Sequence, residues 1–133
     1  MATELKKPTR EYVDVDFLFQ PHPVSKNLTV KKSTNAVRQS ILHLMRLKEG
    51  DKPFHPEIQS PIYKYFFENF TITTKIVLQE EVRKYITYYE PRVTLTDVQI
   101  GFPEPNAINC TIFGIIINTN EYFSVNVLIN RLR

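Results

Sequence analysis

Lys75-Ile76-Val77-Leu78-Gln79-Glu80-Glu81-Val82-Arg83-Lys84-Tyr85-Ile86-Thr87-Tyr88-Tyr89-Glu90-Pro91-Arg92-Val93-Thr94-Leu95 holds the point where the apolar period of this chain changes. Before it, Leu78, Val82, Tyr85, Ile86 and Tyr89 recur at helical spacing. That spacing predicts a helix over residues 75–89, with Thr74 as its cap. Pro91 cannot continue a helix, and it pushes Glu90 toward extended backbone. After Val93 the period is two, so residues 93–102, 107–118 and 122–132 read as three strands. Two turn clusters separate them, Pro103-Glu104-Pro105-Asn106 and Asn118-Thr119-Asn120-Glu121.

Upstream of this switch the pattern predicts two further helices. Ser60-Pro61 opens a short one, with Ile62, Tyr65, Phe66 and Phe70 as its apolar stripe. A longer one starts at Thr34 or Asn35, carries Val37, Ile41, Leu44 and Met45 on one face, and is expected to end at Gly50. Residues 12–19 alternate Val13, Val15, Phe17 and Phe19 against Asp14 and Asp16, which predicts a half-buried strand with the apolar side inward. Pro21 and Pro23 stop it, and a polar connection is expected up to about Ser33. The middle C-terminal strand is apolar on both faces, which predicts a central strand covered on both sides. The fold class expected is α+β, with three helices packed on one face of a mainly antiparallel sheet that ends in a C-terminal meander. One domain over residues 1–133 is expected, with residues 1–11 as a flexible arm.

Composition narrows the function. The chain has 133 residues, 42% of them apolar and sixteen aromatic (nine Phe, seven Tyr), which suits a folded domain. No uninterrupted aliphatic run exceeds three residues, as in Ile115-Ile116-Ile117, far short of the roughly 20 residues a membrane helix needs. The first residues carry no signal-peptide pattern, which predicts a reducing, cytoplasmic setting. Cys110 is the single cysteine and sits in an apolar strand, so a buried, inert thiol is expected. Residues 1–50 hold nine Lys or Arg against five Asp or Glu, an excess of four out of a net +3 for the chain. This basic third reads first as a solvated surface; an acidic protein partner is the functional alternative. A nucleic-acid adaptor working through Lys31 and Lys32 is the competing reading, but the excess is scattered rather than striped.

Residues capable of catalysis are sparse. His22, His43 and His55 stand in no metal-binding spacing, so no metal and no cofactor are expected. Glu80 and Glu81 are adjacent and diverge by about 100° on a helix, so they cannot bracket one bond. Three glycines leave no material for a phosphate-cradling loop. No small-molecule substrate, nucleic acid or membrane is expected as a partner. The conspicuous feature is the last strand, Phe123, Ser124, Val125, Asn126, Val127, Leu128 and Ile129, which contains no proline and lies between Glu121 and Arg131. Its edge is either covered by residues 12–19 or offered to another chain for strand addition.

Four segments occur in a familiar order: Asn35-Ala36-Val37-Arg38-Gln39-Ser40-Ile41, Gly50-Asp51-Lys52-Pro53-Phe54-His55-Pro56-Glu57, Phe66-Phe67-Glu68-Asn69, and Tyr88-Tyr89-Glu90-Pro91-Arg92-Val93. In this order and spacing the chain resembles the baseplate wedge family of contractile phage tails. Its wider relatives belong to type VI secretion baseplates and carry the old label "lysozyme-like". Ile58-Gln59-Ser60 departs from the apolar residue and glycine usual after Pro56-Glu57.

The resemblance implies a structural, non-enzymatic component of the virion tail baseplate, assembled in the host cytoplasm. It implies that Tyr88, Tyr89, Glu90, Pro91 and Arg92 dock on a helical core bundle of other wedge proteins. It further implies that sheet edges, here Phe123–Ile129, accept strands from the tail sheath protein and so template the sheath. Pro53, Phe54 and Pro56 are read as a stiff loop that packs Phe54 into the core. A baseplate-associated peptidoglycan hydrolase is the alternative, and it needs two carboxylates about 5–9.5 Å apart.

Overall fold

The structure, a computed structural model, describes residues 10–131. The elements run β1 (Val13–Val15), β2 (Val30–Lys32), α1 (Ser33–Arg46), α2 (Pro61–Lys64), α3 (Ile72–Tyr89), β3 (Val93–Glu104), β4 (Ala107–Ile116) and β5 (Tyr122–Asn130). β3, β4 and β5 form an antiparallel meander in that order, while β1 and β2 pair with each other as a separate antiparallel ribbon. The class is α+β with three helices. Of the arm expected over residues 1–11, residues 1–9 lie outside the described residues. Arg10 and Glu11 are held, the first by Asn118 Nδ2–H donating to its carbonyl, the second by the Ser33 hydroxyl. Leu132, expected in the last strand, also lies outside the described residues.

The helical stripes bury as their periods require. Val37, Ile41 and Met45 of α1 and Leu78, Val82 and Ile86 of α3 are fully buried, and α1 lies over β5 while α3 lies over β3. Burying each such side chain contributes about 1.5–3 kcal/mol, so this face dominates the stability of the domain. Tyr85 adds a hydrogen bond from its hydroxyl to the Leu44 carbonyl at 2.9 Å, tying α3 to α1. Cys110 is buried, and burial pushes its thiol up to about 12.

Helix ends differ from expectation by a few residues. Thr71, not Thr74, caps α3, its hydroxyl oxygen accepting from the Thr74 N–H at 3.2 Å. The Thr74 hydroxyl instead donates to the Asn69 carbonyl. α1 ends at Arg46 because Leu47 turns extended and is buried; Gly50, at φ +82°, serves a later turn. Ser60 and Pro61 do open α2, although the Ser60 hydroxyl makes no cap bond.

Three expectations are overturned. The strand over 12–19 shrinks to Val13–Val15, and the segment read as a polar connection supplies its partner β2. The phase is also inverted: Val13, Val15, Phe17 and Phe19 are exposed, while Asp14 and Asp16 face inward toward cations. β4 is central but covered on one side only. Ile108, Cys110, Ile112 and Ile116 are buried, whereas Phe113 and Ile115 on the other face remain part exposed. Phe54 does not enter the core. It is 98% exposed, with φ +65° in the left-handed region, and Ile58 is the loop residue that buries.

Gly114 shows how closely the sheet packs. A Cβ there would lie 2.8 Å from the Thr94 carbonyl oxygen and 2.9 Å from the Phe123 ring. The missing side chain lets that ring lie across the strand, so the glycine is a packing requirement.

Candidate functional site

Pro91 ends α3 and turns the chain so that Glu90 and Arg92 project to the same side. Arg92 Nε donates to Glu90 Oε1 at 2.6 Å and Nη2 donates to Oε2 at 2.9 Å, a two-pronged pair across one proline. Arg92 Nη1 reaches both carboxylate oxygens of Asp14 on β1, at 3.1 and 3.0 Å. The Ser40 hydroxyl of α1 donates to Glu90 Oε2, and the guanidinium lies over the Tyr12 ring at 5.4 Å. Glu90 is only 2% exposed. Burial pushes its carboxyl up, but the hydrogen bonds from Arg92 and Ser40 outweigh that and leave it below the ordinary carboxylate range. Glu90 and Asp14 in turn raise Arg92, with the Glu90 bond the larger cause.

This corner ties together the ribbon, α1 and the α3–β3 junction. The charged groups of Glu90 and Arg92 are engaged within the molecule, which leaves Tyr88, 78% exposed, and the exposed ring of Pro91 as its outward surface. Tyr89 packs edge-on against both Tyr88 and Tyr85 and stands half-buried. Sequence reasoning missed Asp14, Gln39 and Ser40 as members. Buried Gln39 accepts from the Phe17 N–H at 3.1 Å and donates to the Val15 carbonyl at 2.9 Å, completing the edge of β1 as a strand residue would. No signal in the sequence pointed to Gln39, which falls on the side of α1 away from the stripe of Val37, Ile41, Leu44 and Met45.

The second candidate is the edge of β5. Ile116 N–H donates to the Glu121 carbonyl, and Arg131 N–H donates to the Asn106 carbonyl. These bonds set the phase of the ladder, because bonded pairs alternate along an antiparallel pair. Phe123, Val125, Val127 and Ile129 therefore bond to β4 and bury their side chains. Tyr122, Ser124, Asn126, Leu128 and Asn130 turn their backbone N–H and C=O groups away from β4. Among the described residues no other backbone group reaches them. Residues 12–19 do not cover this edge, since β1 pairs with β2.

The two sheet edges are unlike. β3 is interrupted by register shifts at Leu95/Asp97 and Gly101/Glu104, and it carries Asp97 and Pro103. Bulges, charge and proline are how proteins blunt an edge. β5 keeps unbroken register over nine pairs and contains neither charge nor proline.

Among the described residues no cluster of three His, Cys, Asp or Glu side chains is placed to hold a metal ion, and no helix is long and apolar enough to cross a membrane.

A family model described as baseplate wedge protein gp25 matches residues 31–121, more than half of the chain. The baseplate wedge protein gp25 of Enterobacteria phage T4 is 24% identical over 76 residues, 57% of this chain and 58% of that protein. The chain thus aligns with less than two thirds of that curated relative. Two solved structures share the fold. A Geobacter sulfurreducens chain described as a tail lysozyme superposes with a TM-score of 0.65 at 20% identity, over 73% of this chain and 89% of the other. A chain of the anti-feeding prophage baseplate superposes with a TM-score of 0.62 at 17% identity, over 92% of this chain and 88% of the other.

Proposed function

This chain belongs to the baseplate wedge protein gp25 family, and from that premise we propose that it seeds the sheath of a contractile tail by strand addition. In this reading Tyr122, Ser124, Asn126, Leu128 and Asn130 accept the backbone of an arm from the tail sheath protein. A second corner, Tyr88, Tyr89 and Pro91 held in place by Glu90–Arg92, docks on the helices of the other wedge proteins in the virion baseplate. Assembly takes place in the host cytoplasm. The observation that carries the proposal is the contrast between the edges, one blunted and the other unbroken in register, uncharged and, among the described residues, unpaired. Each backbone bond gained contributes about 0.5–1.5 kcal/mol, so a row of them gives a firm but register-specific joint.

Hydrolysis is the weaker reading. Glycoside cleavage takes two carboxylates facing one cleft. The grooves around Phe17, Phe113 and Phe66 are each lined by one, Asp16, Asp97 and Glu49 respectively. Asp14 and Glu90 do approach a common point, but Arg92 occupies it.

Proline scanning tests the proposal by phase. Asn126→Pro removes an N–H that the domain does not use and so keeps the fold, yet it stops sheath growth on reconstituted baseplates. Val127→Pro breaks the ladder to β4 and unfolds the domain. Normal sheath nucleation by Asn126→Pro would remove strand addition through this edge.

A further inference from the structure

The outer face of the β1–β2 ribbon is open and apolar except for Lys32, which stands opposite Val13. Val13, Val15, Phe17, Leu28 and Val30 are each 43–53% exposed, and Val15 stands directly opposite Val30. The inner face holds Asp14 and Asp16, bound to Arg92 and Lys31. A surface ribbon ordinarily turns its apolar side to the domain; this one turns it out. A contiguous apolar patch of this kind marks a contact site.

The charge beside it is one-sided. Phe17 and Leu18 also line a groove of about 550 Å³ between the ribbon and α1, floored by Leu42 and walled by Lys31, Arg38 and Arg46. Its one carboxylate, Asp16, is engaged by Lys31 at 3.5 Å and by the Leu18 N–H at 3.1 Å. Arg38 and Arg46 are exposed and make no ion pair among the described residues. Eight positions apart on one helix, they stand about 12 Å from each other along its axis.

We propose that this surface is a third contact site, which receives an acidic, amphipathic segment of a different protein subunit. The apolar side of that segment lies on Val15, Phe17 and Val30, and its carboxylates meet Arg38 and Arg46. A second copy of this chain would set cation against cation across the contact, which costs affinity. A walled groove with cations spaced along it suits an elongated polypeptide better than the flat surface of an anionic bilayer. Arg46 borders neither the β5 edge nor the Tyr88 corner and acquires a role here, whereas Arg38 also lines the groove beside Tyr122 and Ser124. The inference rests on baseplate membership, and its ribbon residues and Arg46 are separate from the β5 edge.

The test places a photo-crosslinking residue in the full chain within assembled particles, as Val30→p-benzoylphenylalanine, and separately as Leu128→p-benzoylphenylalanine. The Val30 probe is expected to join one other subunit within an acidic, apolar segment. Adding Arg38→Glu and Arg46→Glu is expected to lower that yield about tenfold or more. Both substitutions fall on the exposed face of α1, so the thermal midpoint is expected to stay within about 2 °C. Crosslinking to a second copy, to lipid or to a basic segment, or no crosslink at all in intact particles, would overturn the proposal. The Leu128 probe reports on the β5 edge, so failure of strand addition is read separately.

Discussion

Arg92 grips the buried carboxylate of Glu90 across a single proline, with Nε–Oε1 at 2.6 Å and Nη2–Oε2 at 2.9 Å. The Glu-Pro-Arg segment is thus a latch within the domain before it meets any partner. Arg92→Ala strands the Glu90 charge and releases Asp14, and is expected to cost about 3–5 kcal/mol. Replacing both partners, Glu90→Gln with Arg92→Met, is expected to cost less than the sum of the two single changes by about 0.5–3 kcal/mol. Urea denaturation of the four proteins of this cycle measures the difference, and simple additivity would refute the latch.

Acid weakens the same latch. The Glu90 carboxyl titrates below its ordinary value of 4.5 in the folded domain and near that value when unfolded. A depressed native value means the unfolded chain binds the proton more readily, so this contribution is complete at neutral pH and is lost as pH falls below about 4.5. Thermal midpoints measured from pH 7 to pH 3 are expected to fall more steeply for the wild type than for Glu90→Gln.

Gly114→Ala drives a methyl group against the Thr94 carbonyl and the Phe123 ring. Overpacking of this kind costs about 1–3 kcal/mol, and here it displaces the side chain that seats β5. Calorimetry is expected to register that loss. Gly101→Ala, where the added methyl meets nothing within 4 Å, is expected to register far less of it.

Phe54 combines a positive φ with 98% exposure. Holding a bulky residue in the left-handed region costs about 1–3 kcal/mol, whereas asparagine tolerates it. Phe54→Asn is therefore expected to raise the thermal midpoint. A fall would mean that the ring makes a stabilising contact.

Much of the fold was legible because period is a local property. The switch at Pro91 located α3 and the meander, and the stripe of Val37, Ile41 and Met45 located α1. Phase was not legible over 12–19. Alternation alone cannot say which side faces inward, and the answer depended on Arg92, 78 positions away from Asp14. Phe54 was misplaced for a related reason: size and apolarity argue for burial, but the turn between Pro53 and Pro56 aims the ring outward. The β5 edge was visible as a strand without proline or charge. Which of its amides are free required the register with β4.

That register makes the central claim measurable at single amides. Hydrogen exchange resolved to individual residues, in the free protein and in baseplates carrying sheath, compares two interleaved sets. Ser124, Asn126 and Leu128 are predicted to exchange rapidly in the free protein and to slow by about tenfold or more on assembly, while Val125 and Val127 are protected in both states. If Ser124, Asn126 and Leu128 exchange as fast in the assembled particle as in the free protein, no strand is added there and the account is wrong.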